Sequence, residues 1–259
     1  MNLFRNIGRQ TLNFIQHLGS ISLFLLSILR ASGTSFARPR LTVRQMYFAG
    51  VMSILIIAVS GVFVGMVLGL QGYTQLNKFK AADALGFAVA AGLLRELGPV
   101  LAALLFASSA GGAMTSEIGL MKTNQEIDAL EVLGKDPILI LVVPRLVALV
   151  IALPLLTIIA DIMALVAAAL IASTILDISF TQFFARVAAN IEFKTFAAGL
   201  IKAPFFAVGI ALIACWQGMR VTGSSESLGK HTTKAVVDAI FLVLVLDALF
   251  SMLFYRLGF

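Results

Sequence analysis

The apolar stretches of this chain are too long to be the interior helices of a soluble domain. Five of them, near residues 46 to 72, 85 to 111, 138 to 172, 196 to 216 and 235 to 256, match or exceed the roughly 20 residues that a helix needs to cross a bilayer. Inside hydrocarbon every backbone polar group must be paired within the protein, which leaves helices or a closed barrel. No ten-residue alternation of apolar and polar positions marks barrel strands. The fold class that follows is an all-α integral membrane protein. Composition agrees, with 60% hydrophobic and 12% charged residues where a soluble domain has about a quarter charged.

Basic residues test the count, because Lys and Arg are retained on the cytoplasmic side of a membrane. With five crossings and the N-terminus inside, that side receives Arg5, Arg9, Arg30, Arg38, Arg40, Arg44, Lys122, Lys135, Arg145, Arg220, Lys230 and Lys234. The other side receives only Lys78, Lys80, Arg186, Lys194 and Arg256. The asymmetry predicts a cytoplasmic N-terminus, a C-terminus across the membrane and a cytoplasmic segment between spans two and three. Residues 138 to 172, with Pro144 and Pro154, admit a hairpin of two short spans, but no polar turn interrupts them and one long helix is preferred. Residues 11 to 30 have about twelve uninterrupted apolar positions between Arg9 and Arg30, too few to cross, and read as an interfacial helix. A cleaved signal peptide fits less well, because Arg30 abuts the small residues Ala31 and Gly33 that would form its cleavage site. The whole chain, 1 to 259, reads as one polytopic transmembrane domain, with an interfacial helix and basic linker over 1 to 40 and a five-span core over 46 to 256.

Several clusters mark contacts or chemistry within this frame. Gly61, Gly65 and Gly69 recur every four residues and share a helix face, which fits packing within the chain or a seam between two copies. Arg95 and Glu96 lie about ten residues into the second span, with Pro99 just beyond, while Lys202 and Asp247 lie within the fourth and fifth. A charge at mid-bilayer costs about 2.5–3.5 kcal/mol on insertion scales, so these four are expected to pair or to face a wet cavity. Asp161 and Asp238, nearer their helix ends, are read as structural. The single Cys215 permits no disulfide within the chain, and His17 and His231 lack metal-ligand spacing. GSSESLGKHT (223 to 232) has one residue too many for a phosphate-binding loop and His231 where Ser or Thr belongs. No catalytic set, metal site, cofactor site or nucleic-acid surface is expected. If the chain drives anything uphill, the energy comes from an ion gradient or a partner.

The segment EIGLMKTNQEIDALEVLGKDP (117 to 137) sits between spans two and three and carries two lysines and five acids. As a helix, 125 to 133 sets Ile127, Leu130 and Leu133 on one stripe, with Gly134 and Pro137 as stop signals. An anionic helix is repelled by anionic inner-leaflet lipid, so a protein groove is its natural seat.

These residues also carry a resemblance. RELGPVLAALLFASSAGGAMTSEIGLMKTNQEIDALEVLGKDP (95 to 137), VVPR (142 to 145) and SGVFVGMVLGLQGY (60 to 73) resemble the signature regions of MlaE-type permeases, and the likeness extends from about residue 40 to the end. Departures are Ser108 and Ser109 where members often carry Gly-Arg, and Gln125 and Glu126 where they carry Glu-Gln. The resemblance implies a homodimeric membrane subunit of a bacterial inner-membrane ABC transporter. It further implies two cytoplasmic ATPase subunits that bind ATP and Mg, a small STAS-domain protein, a hexameric periplasmic ring of MCE subunits and a phospholipid substrate. By the same resemblance, residues 117 to 137 are the coupling helix, with Glu117, Gly119, Met121, Asp128, Leu130, Asp136 and Pro137 matching its motif. A lipid cavity is then expected near Tyr73, Leu76, Phe79 and Leu97, with Arg95 and Lys202 attracting phosphate and Glu96 and Asp247 holding those cations. The competing readings are an ion-coupled transporter or channel, without the internal repeat such folds commonly show, and a structural scaffold for a periplasmic assembly.

Overall fold

The structure, a computed structural model, describes residues 19–20, 22–28, 39–175 and 178–258. It is all-helical over these residues, and five helices are long and apolar enough to cross a membrane: α1 (Arg40–Lys78), α2 (Ala82–Thr123), α4 (Ile138–Ile175), α6 (Phe193–Met219) and α7 (Ser225–Leu257). Short helices join the spans, α3 (Glu126–Val132) between α2 and α4 and α5 (Phe180–Asn190) between α4 and α6. The chain is therefore an all-α, multi-pass membrane protein. Each span runs past the apolar segment that marks it, because the helices continue beyond the thickness the hydrophobic residues report. Residues 138 to 175 form one helix, not a hairpin. Of the interfacial segment expected over 11 to 30, residues 19–20 and 22–28 are helical, and Ile28 is buried in the main core; the rest of it lies outside the described residues, as do Arg5, Arg9 and Arg38.

Side-chain pairings fix the direction of every span. Gly61, Gly65 and Gly69 of α1 meet Ala160, Ala164 and Ala168 of α4 in rising order, so these two helices run parallel. Glu96 meets Lys202 and Thr115 meets Ala214, which makes α2 and α6 parallel as well. Ser53 meets Ser109 while Gly72 lies against Leu85, and Thr232 meets Ser116 while Ser251 meets Glu96, which sets α2 antiparallel to α1 and to α7. Alternate crossings thus place α3 and the α6–α7 loop on one face, and the α1–α2 turn and α5 on the other.

The glycine row belongs to packing within the chain. A Cβ at Gly65 would overlap the backbone carbonyl of Ala164, while at Gly61 it would lie 2.9 Å from the Ala160 oxygen and at Gly69 3.3 Å from the Ala168 oxygen. Small residues on both sides let the two backbones touch, which is the main source of helix attraction where lipid tails are as apolar as leucine. Helix α6 is the most enclosed span and α7 the least.

Two spans carry a widened turn just before a proline. Pro99 has no N–H to donate and its ring crowds the carbonyl four residues back. The chain accommodates it with a π-helical turn over Leu93–Leu97, in which the Gly98 N–H reaches back to the Leu93 carbonyl. The same device precedes Pro144, where the Val143 N–H bonds the Ile138 carbonyl. Such turns often sit at functional sites, and the first of these holds Arg95 and Glu96.

Candidate functional site: a buried charge cluster and a clasped turn on one helix

Lys202 lies nine residues into α6, about 14 Å along its axis and so near mid-membrane. Its side chain is fully buried, and its ammonium donates to Glu96 Oε2 at 2.5 Å, Asp247 Oδ1 at 2.9 Å and Ser251 Oγ at 3.0 Å. All three hydrogens are used. Ser251 Oγ in turn donates to Glu96 Oε2 at 2.9 Å, closing a ring across α2, α6 and α7. Arg95 Nε lies 3.8 Å from Glu96 Oε1, with about a third of each side chain exposed. Two cations balance two anions, which is what makes four charges tolerable at this depth. Of the four, Arg95 and Glu96 are the most open, and Lys202 is sealed behind the carboxylates.

Ser251 was not among the expected residues. Its signal was present, since it stands four residues after Asp247 and therefore on the same face of α7, but a serine on an apolar helix carries no charge to draw attention. Tyr73 and Leu76 pack elsewhere, against a second apolar cluster built on Leu85, Val89, Leu93 and Phe183. Phe79 caps the end of α1 and is 79% exposed, and Leu97 is 39% exposed. One cavity of about 420 Å³ lies between α1 and α2 and another of about 330 Å³ between α1, α2 and α4; none of the eight residues expected at the lipid site lines either of them.

The second half of the site is the turn from α2 to α4. Its base is closed by Arg145, nearly buried at the start of α4, whose guanidinium pairs with Glu117 Oε2 at 2.9 Å and donates to the Leu141 carbonyl at 3.0 Å. Gly119 is packed so closely that a Cβ would stand 2.5 Å from Leu228 Cδ1 and 2.8 Å from Val221 Cγ2, which ties the end of α2 to the α6–α7 loop. Gln125 turns the chain in the left-handed region, φ 60°, just before α3 begins. Lys122 pairs with Asp128 at 2.5 Å. Asp136 Oδ1 accepts the Ile138 N–H at 2.9 Å and so starts α4, while Pro137 is buried beside it.

Two of the three residues of the expected α3 stripe face inward. Ile127 is fully buried in the chain's own core, and Leu130 and Met121 pack against that core. What α3 leaves open is its C-terminal end, where Val132 is 89% and Leu133 67% exposed beside Glu131 and Lys135. Leu133 belonged to the expected stripe and Val132 did not.

Comparison with known proteins settles the lineage. The family model described as permease MlaE matches residues 42–253. This chain belongs to the MlaE permease family. It is 38% identical over 259 residues, covering all of this chain and 99% of the relative, to the Haemophilus influenzae protein named intermembrane phospholipid transport system permease protein MlaE. It is 35% identical over 260 residues, 99% of both chains, to a probable ABC transporter permease protein of Rickettsia felis. A probable ABC transporter permease protein of Synechocystis is 34% identical over 217 residues, 84% of this chain and 82% of the relative. For this MlaE-family permease, the matched region spans both the charge cluster and the turn from α2 to α4.

Proposed function

We propose that this chain is the membrane subunit of an ATP-driven transporter that moves phospholipid between the inner membrane and a periplasmic MCE-protein channel, and so maintains outer-membrane lipid asymmetry. The observation that carries the reading is that one continuous 42-residue helix, α2, holds Arg95 and Glu96 at mid-membrane and ends in the clasped docking turn. A push on α3 is delivered through Glu117 and Gly119 to the same helix that presents the charged pair. In this reading the chain hydrolyses nothing itself. Two cytoplasmic ATPase subunits bind ATP and Mg and seat against α3, with a small STAS-domain protein beside them. The permease works as a homodimer in the bacterial inner membrane, N-terminus cytoplasmic and C-terminus periplasmic, beneath a hexameric MCE ring.

Within the membrane, Arg95 is the cation that meets the lipid phosphate, since a planar guanidinium offers a paired donor set to a phosphate. Lys202 then anchors the two carboxylates that keep the polar cluster in place. Phe79 at the end of α1 and Leu97 beside the charged pair supply open apolar surface for acyl chains, while Tyr73 and Leu76 back them from the second apolar cluster. Arg95→Glu is expected to lower ATP-driven phospholipid transfer between reconstituted vesicles by about a hundredfold, with the purified complex intact, while Arg95→Lys keeps a partial rate. Failure of the Arg95→Glu complex to assemble would make the residue a packing element and remove it from the site.

The docking surface makes a separate prediction. Val132→Glu combined with Leu133→Glu places charge on the exposed tip of α3 without touching Ile127 or Leu130. Loss of two apolar anchors of at least about 2 kcal/mol each weakens binding by three orders of magnitude or so, enough to abolish co-purification of the ATPase. The permease alone should keep its thermal stability in detergent. Lipid transfer driven by a pH gradient without any ATPase would instead favour an ion-coupled transporter.

A further inference from the structure

The two cavities described above follow one groove. The larger, of about 420 Å³, is lined by Arg44, Phe48 and Ser53 of α1 and by Ser109, Ala113 and Glu117 of α2. The smaller, of about 330 Å³, continues on the same antiparallel pair, from Ile57 to Val64 on α1 and from Leu105 back to Leu93 on α2, with α4 behind it. The Ser53 and Ser109 hydroxyls, 3.0 Å apart, mark the step from one to the other.

Depth gives the two cavities different surroundings. Counted along α2 from Glu96, near mid-membrane, Leu105 lies about 14 Å away, inside one half of a hydrocarbon core roughly 30 Å thick. Ser109 lies about 20 Å away and Glu117 further still, at the depth of lipid headgroups. The walls change to match. Among the described residues Ser60 is the one polar side chain of the smaller cavity, while the larger has Arg44, Gln45, Glu117 and two serines. Arg44 is the last charged residue of α1 before Lys78, and no charge on α2 separates Glu117 from Glu96. Among the described residues no carboxylate pairs with Arg44, whose guanidinium lies over the Phe48 ring at 5.8 Å. Glu117 holds Arg145 through Oε2 and keeps about half its side chain exposed.

Both walls of the larger cavity are also irregular. Helix α1 widens into a π-helical turn over Tyr47–Val51, and α2 does so over Ala107–Gly111. Neither turn precedes a proline, so no ring forces it. Such turns gather at functional sites.

A phospholipid fits this succession of walls. We propose that the α1–α2 groove holds a phospholipid of the leaflet on the α3 side, the cytoplasmic one in the orientation given above, with its phosphate on Arg44, a primary-amine headgroup on Glu117 and an acyl chain over the smaller cavity. Charge selects the headgroup. A phosphate beside an ammonium matches both Arg44 and Glu117 with charge-assisted contacts, whereas a glycerol head offers Glu117 only neutral hydroxyls. The smaller cavity opens sideways, since Ser60, Leu101 and Leu104 on its walls are only half-buried, and the chain reaches it outside the hydroxyl pair. Arg95 takes no part in this site.

The test uses the full-length permease purified in detergent. It is mixed with equal amounts of phosphatidylethanolamine and phosphatidylglycerol, freed of unbound lipid and examined by native mass spectrometry. The wild type should retain phosphatidylethanolamine about tenfold more than phosphatidylglycerol. Arg44→Gln should lower that retention about tenfold, the worth of one charge-assisted contact, and leave thermal stability unchanged because the residue is exposed. Ala113→Phe fills the larger cavity from an exposed position on its wall and should abolish retention, while Arg95→Glu should not alter it. No retained lipid, equal retention of the two lipids, or retention unmoved by Arg44→Gln and Ala113→Phe would overturn the proposal. So would cross-linking of Met52→Cys to a partner copy in a Cys215→Ala background, because the groove would then be a seam between subunits. Retention as expected in a complex that shows no ATP-driven transfer removes the transport reading and leaves this site standing.

Discussion

Lys202→Met should destabilise the permease by about 3–5 kcal/mol, the usual cost of removing one partner from a buried charge set. The substitution keeps the length and apolar stem of the side chain and deletes only the ammonium. Glu96 and Asp247, now bonded to Lys202 at 2.5 and 2.9 Å, would face one another without a counter-ion. Ser251 would lose its second contact and could hold only one of them. Thermal unfolding in detergent measures the loss. Adding Glu96→Gln and Asp247→Asn to the same chain removes both stranded charges, and most of the stability should return while lipid transfer does not. A single variant as stable as the wild type would mean that the ring does not pin α2, α6 and α7 together.

The second large effect concerns the α1–α4 seam. Ala substitutions at Gly69, Gly61 and Gly65 should destabilise in that order, as the space for a Cβ shrinks from 3.3 Å to 2.9 Å and then to overlap with the Ala164 carbonyl. Overpacking a tight site costs about 1–3 kcal/mol, and Gly65→Val should exceed that range, because the whole row must part for one side chain. The obstacle at Gly65 is backbone, with the Ala164 carbonyl carbon at 2.6 Å from the added atom. Ala164→Gly should therefore fail to rescue Gly65→Ala. Rescue would show that the helices shift easily and that the close approach is not required.

Much of this architecture was readable because a bilayer imposes its own ruler. Span number, the single helix over 138 to 175 and the alternation of faces follow from apolar length and the placement of Lys and Arg. The charge cluster was readable in its members, since Arg95, Glu96, Lys202 and Asp247 stand out against apolar neighbours. Its geometry was not: nothing in the spacing says that Lys202 is sealed by two carboxylates or that Ser251 completes the ring. Those facts depend on which faces of α2, α6 and α7 meet, and helices hydrophobic all round do not declare a face. The glycine row was readable as a close-contact strip, but its partner Ala160, Ala164 and Ala168 is hidden in a helix where alanine is common. Asp161 was read as structural from its distance to a helix end. Burial against Gly98 is a tertiary fact, as is the inward turn of Ile127 and Leu130, which any amphipathic plot leaves ambiguous between self and partner. Helix α5 escaped notice because eleven residues with one buried phenylalanine fall below the length that hydrophobic patterning resolves.

The Arg145–Glu117 pair joins the two ends of the segment that carries α3. A segment closed at its base in this way, with Ile127 set in the core and Gly119 locked against Val221 and Leu228, is a rigid spur of the helical body and not a tether hung from it.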